Sequence, residues 1–181
     1  MPPTGSAYNV DWVVNWSSSI HVATHRDGFT TYIPFKTFVT TEWGSATQEA
    51  LGVGEVTLPT KTSNSRSDKV SQRNLVLRNV LYVPSAICNV LGHPIIEDPN
   101  LQIVTQGPWK ILNRTTKEVV GLIDMPLLFR LRLRHQCATQ TSLDKNKIYT
   151  LFTHWTMLNE QHLSTFKKST HGHLHLFALD S

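Results

Sequence analysis

The segment Asn15-Trp16-Ser17-Ser18-Ser19 follows an apolar run, Trp12-Val13-Val14, and leads to His21. A strand that ends in a tight turn is a good mount for a catalytic acid. Two such acids facing each other share one proton: one polarises a water, and the other protonates the substrate carbonyl. That chemistry needs a group that titrates at accessible pH. Position 15 is an asparagine, whose amide can orient a water but is no base near neutral pH. Ser17 stands where a glycine would permit unusual backbone angles, and Trp16 adds bulk beside it. Three adjacent changes argue against hydrolysis, so no catalytic residue is assigned. The plain alternative is a surface turn capped by serine hydroxyls.

Other reactive patterns are weaker. Ser17–Ser19 with His21 could form a nucleophilic pair, but no orienting carboxylate is identifiable. In LLFRLRLR (127–134), Phe129, Leu131 and Leu133 share one face, and Arg130, Arg132 and Arg134 share the other. Arginines ~6.5–7 Å apart along a strand could follow the phosphates of a nucleic acid, although no aromatic residue interleaves to stack bases. The competing reading is a charged, solvated edge strand. His171, His173 and His175 alternate and could clasp a divalent ion, but a solvent-exposed histidine-rich tail is favoured, and no metal site or cofactor is expected. There is no phosphate-binding glycine loop, H-E-x-x-H or G-x-S-x-G.

The elements that would carry these residues are mostly short strands. Candidates are 10–14, 35–41, 51–58, 74–83, 101–105, 109–113, 119–123 and 127–134. In 51–58 the two glycines, Gly52 and Gly54, suggest a bulge or a close backbone approach. The branched, apolar run to Val83 suggests a central strand. Residues 61–73 read as an exposed loop, and 148–168 could hold a helix with Leu158, His162, Leu163 and Phe166 on one face. The chain is expected to form a mainly β domain over 8–134 and a short mixed α/β C-terminal appendage over 135–181.

Bulk properties narrow the classes. Of 181 residues, 40% are hydrophobic and 17% charged, enough for a packed core. A net charge of +4 is mild and spread widely, so it argues for no particular partner. Two cysteines make no disulfide framework, which suits a reducing compartment. With no secretory leader and no long apolar stretch, a cytoplasmic or nuclear protein with no membrane association is expected.

Taken together, Trp12-Val13-Val14, His21, Phe29, LGVGEVTL (51–58), LVLRNVLYVPS (75–85) and NVLG (89–92) resemble the retropepsin-like β-barrel domain of copia-type retrotransposon Pol polyproteins, and in particular its degenerate fungal members. The most specific piece is L-x-N-V-L-Y-V-P, here Leu77 to Pro84. The resemblance covers about residues 10–133 and implies an aspartic-protease-like barrel. The family's Asp-Ser-Gly-Ala-Ser is replaced here by Asn15, Trp16, Ser17, Ser18 and Ser19. The resemblance also implies a homodimer in which each subunit lends one acid; a dimer of this chain would set two asparagines there. It places a flap near Trp43 and Gly44, and Val90-Leu91-Gly92 beneath the active loop. Residues 154–163 resemble a degenerate pre-integrase segment.

These features lead to the expectation of a catalytically inactive, retrotransposon-derived barrel that binds a peptide or protein. A cleft reused for a small apolar ligand or a non-proteolytic reaction, with Trp16 and Trp43 as walls, is the second reading. Nucleic-acid binding through Arg130, Arg132 and Arg134 is the third.

Overall fold

The computed structural model describes residues 10–41, 47–63, 72–124, 129–134, 136, 143 and 153–154. Its strands are β1 (Trp12–Val14), β2 (His21–Ala23), β3 (Phe29–Thr41), β4 (Thr47–Lys61), β5 (Gln72–Tyr82), β6 (Asn89–Leu91), β7 (Leu101–Val104), β8 (Lys110–Asn113), β9 (Val119–Asp124), β10 (Arg130–Leu131) and β11 (Thr153–His154). One four-residue helix, α1 (Pro94–Glu97), follows β6, with Pro94 pre-set for its first turn.

The strands form one sheet in the order β11-β3-β4-β5-β2-β6-β1-β10-β9-β8-β7. β6 lies between β1 and β2, parallel to the first and antiparallel to the second. The sheet then closes on itself. Lys61 N–H donates to Arg132 O at 2.9 Å, Arg134 N–H donates to Pro59 O at 2.8 Å, and Thr60 pairs with Leu133. The closed ring therefore runs through the far end of β4, β5, β2, β6, β1 and residues 130–134.

The wall made by β1, β6, β2 and the Val80-Leu81 end of β5 is buried on both faces, whereas the first half of β5 alternates, with Leu75 and Leu77 buried and Arg73, Asn74, Val76 and Arg78 exposed. Trp12 and Val14 enter the barrel core with Ala23, Val80 and Leu91. Val13, Val22, Leu81 and Val90 point the other way, into a second core completed by Val39, Ala50 and Val53. Leu143 is also buried in that second core, so the segment expected as an appendage after residue 134 contributes to the packing.

Several local expectations hold. β5 is central, between β4 and β2. The ladder of β4 on β5 shifts register between Gly54 and Val56. A Cβ at Gly54 would fall on the Thr31 carbonyl oxygen, so the close backbone approach requires glycine. Opposite that shift, Asn79 adopts φ 54°, a left-handed conformation that asparagine tolerates better than most residues. This accounts for the asparagine within the Leu77–Pro84 motif. Residues 148–168 fall outside the described residues except Thr153 and His154, which form β11 against Thr41 and Thr40 of β3.

Candidate functional site

β1 ends where the segment Asn15-Trp16-Ser17-Ser18-Ser19 begins. Asn15 N–H donates to Leu91 O of the inserted β6 at 3.0 Å. The chain then turns back through Ser18, whose N–H donates to Asn15 O at 3.1 Å. The Asn15 side-chain Oδ1 accepts the Ser17 N–H at 3.0 Å, a local turn that asparagine favours. Ser18 is fully buried and its Oγ donates to Ile20 O at 2.9 Å. The serine hydroxyl at the centre of the motif is thus a structural clip for the turn.

The next segment braces this turn from below. His93 N–H donates to Ser18 O at 2.7 Å, and His93 Nδ1 lies 3.1 Å from Trp16 O. Gly92 N–H donates to Nδ1 of the buried His21 at 3.0 Å, which puts the His21 proton on Nε2. Burial holds the His21 pKa down at about 3, so the ring is neutral across the physiological range. A Cβ on Gly92 would press on the carbonyl oxygens of Ile20 and Ser18, so only glycine fits where β6 passes the turn. His21 is thereby committed to packing and to the Gly92 amide; the geometry does not make it a base for a serine.

Aromatic rings line the other side. Trp16 stacks on Trp109 with centroids 6.4 Å apart, and Trp109 stacks on Phe129 at 4.6 Å. All three are half-buried against the barrel core. Trp109 and Phe129 were not visible as neighbours of the motif in the sequence, because nothing local ties positions 109 and 129 to position 16. Trp43 and Gly44, the expected flap residues, lie outside the described residues, as do His171, His173 and His175. The hairpin that would carry such a flap is β3–β4.

The arginine-bearing strand requires a correction. An exposed edge was expected, but β10 is interior, between β1 and β9. Arg130 Nη1 lies 3.2 Å from Asp11 Oδ1, with the two side chains 16% and 2% exposed. Arg132 Nε lies 3.2 Å from Asp124 Oδ2, and Arg134 Nη2 donates to Asn74 Oδ1 at 3.0 Å. Alternation shows which residues share a face, but it cannot show that β1 and β9 flank that face with acids. Asp11, Asp124, Arg130, Arg132 and Gln136 line a recess of about 280 Å³ that includes solvent at its mouth. Two guanidinium groups already matched by carboxylates make a poor phosphate cradle. Burial, reinforced by the Asp11 charge, pushes the Cys88 thiol up to about 12, so it stays protonated and unreactive.

Among the described residues, no three His, Cys, Asp or Glu side chains are placed to hold a metal ion. Among them, too, no helix is long and apolar enough to cross a membrane.

A β-rich barrel with a strand threaded between the two legs of its turn defines the class. Residues 12–98 match the family described as Pol polyprotein, beta-barrel domain, and the chain therefore carries a retrotransposon-type Pol β-barrel domain. No curated protein and no solved structure gives a significant match.

Proposed function

We propose that this barrel is a retropepsin-like, copia-type domain, fungal by resemblance, that has lost proteolysis and serves as a peptide- or protein-binding module. The observation that carries this reading is the state of position 15. The residue at the mouth of the turn is an amide whose oxygen is engaged with Ser17 N–H. It neither titrates near neutral pH nor offers a proton to share. The scaffold around it is intact: β6 is threaded beneath the turn, glycine sits at 92, and both cores are filled. Retention of that scaffold without the acid favours binding over chemistry. The small-ligand reading is weaker because Trp16, one of its two proposed walls, is stacked on Trp109. The nucleic-acid reading is weaker because Arg130 and Arg132 already face carboxylates.

The test has two arms. Purified chain is incubated with broad peptide libraries and the products are read by mass spectrometry; no cleavage is expected. Cleavage that disappears on Asn15→Ala would overturn the loss of proteolysis. In the second arm, a displayed random-peptide selection on the immobilised chain is expected to enrich a common sequence pattern, and no enrichment would remove the binding role.

A further inference from the structure

Arg26 opens a short 3-10 turn, Arg26–Gly28, that follows β2 at the end away from the Asn15 turn. Its guanidinium carbon stands 3.8 Å from the centroid of the Tyr32 ring, a cation–π contact. That ring is itself held. Tyr32 Oη donates to Leu51 O at 2.7 Å, and edge-to-face contacts join the ring to Phe29 at 5.5 Å and to Tyr82 at 6.1 Å. A Cβ on Gly52 would collide with the Tyr32 phenol, so the first glycine of LGVGEVTL makes room for it.

The guanidinium mounted this way has no acceptor among the described residues. Every other described arginine has one. Arg73, Arg78, Arg130 and Arg132 face carboxylates, Arg114 donates to Leu101 O, and Arg134 donates to the Asn74 amide. Arg26 meets no carboxylate within 4 Å among the described residues, not even that of Asp27, its chain neighbour. It is also exposed. The ring occupies a face of the guanidinium, which leaves the N–H groups at its edge for another molecule. Burial pushes the Tyr32 pKa up, the Arg26 charge opposes the rise and Tyr82 adds to it, so the polar ends of the three residues lie close together. The Tyr82 hydroxyl, too, makes no hydrogen bond among the described residues.

We propose that Arg26, on its Tyr32 mount, is a recognition site for a carboxylate borne by an acidic side chain of a peptide or protein partner, with the Tyr82 hydroxyl as a second donor. This rests on the binding role proposed above and names the chemistry it selects. The planar guanidinium donates two parallel N–H bonds to a carboxylate. Stacking fixes the side chain beforehand, so binding costs it little freedom. One guanidinium next to Asp27 balances a single negative charge, which suits a carboxylate better than a dianionic phosphate.

Fluorescence anisotropy of the full chain with two labelled pools of short random peptides tests this, one pool with a fixed central Glu and the other with Gln. The Glu pool is expected to bind about tenfold more tightly. Arg26→Gln, an exposed change checked by an unchanged far-UV spectrum, is expected to bring the two pools level. Arg26→Lys keeps the charge but loses the fork, and is expected to retain only a small part of the difference. Tyr82→Phe is expected to narrow it, and a preference that this change leaves intact would overturn the role of the second donor. Equal binding of both pools to the wild type would overturn the carboxylate site and leave the binding role standing. Failure of both pools to bind would overturn the two together. A Glu preference that survives Arg26→Gln, or a phosphoserine pool that outbinds the Glu pool, would also overturn the site.

Discussion

Acid should destabilise this protein through a single buried ring, and the size of the effect can be worked out. His21 is 3% exposed and accepts the Gly92 N–H, so its ring is neutral in the folded chain, with a pKa held to about 3. In the unfolded chain an ordinary histidine titrates near 6.5. Because the folded value is the lower one, the unfolded state takes up the proton first. The contribution is complete above pH ~6.5 and is lost progressively as pH falls towards the folded value. At pH 5 the loss is roughly 2 kcal/mol, and by pH 3 it reaches about 4 kcal/mol, a large part of the stability of a small domain. The perturbation is His21→Asn, whose Oδ1 can replace Nδ1 as acceptor for Gly92 but does not titrate. Urea unfolding at pH 7.5 and pH 5 measures the difference. The wild type should lose about 2 kcal/mol more than the variant between the two pH values, with equal denaturant slopes. Parallel losses in the two proteins would refute the assignment of a neutral, buried His21.

Three further outcomes follow from the packing. Gly92→Ala should cost at least about 1–3 kcal/mol in urea unfolding, because the added methyl presses on two backbone oxygens that cannot both give way. Asp11→Ala should cost about 3–5 kcal/mol by leaving the poorly exposed Arg130 guanidinium without its carboxylate, while Asp11→Asn, which keeps an acceptor, should cost less. Truncation after residue 98 removes Leu101, Ile111, Ile123, Leu131 and Leu133 from the barrel core. At ~1.5–3 kcal/mol per buried side chain the loss is about 7–15 kcal/mol, so calorimetry of the fragment should show no cooperative transition.

Much of this architecture was legible in the residues because the signals are local. The alternation in 51–58, its two glycines and the apolar run to Val83 each follow from what a strand must do with its two faces. The turn at Asn15 was legible for the same reason, since the absence of a carboxyl at positions 15–19 is visible in the letters themselves. What was not legible depends on distant partners. β2 is only three residues long and begins with a histidine, too short to show a period. The partner of Arg130 is Asp11, 119 positions away, and no pattern within 127–134 could reveal it. Likewise, Trp109 reaches Trp16 only after the sheet has curled round. The Leu143 contribution to the second core was hidden in a polar stretch with no periodicity.

The seam between residues 59–61 and 132–134 has a consequence for the order in which the chain matures. Roughly seventy positions separate its two sides, so closure waits for nearly the whole domain to be synthesised. Until then β1 and the far end of β4 present bare edges that invite wrong partners. Topologies dominated by such non-local pairings fold slowly. During translation, the period before that last seam forms is therefore when chaperone protection matters most.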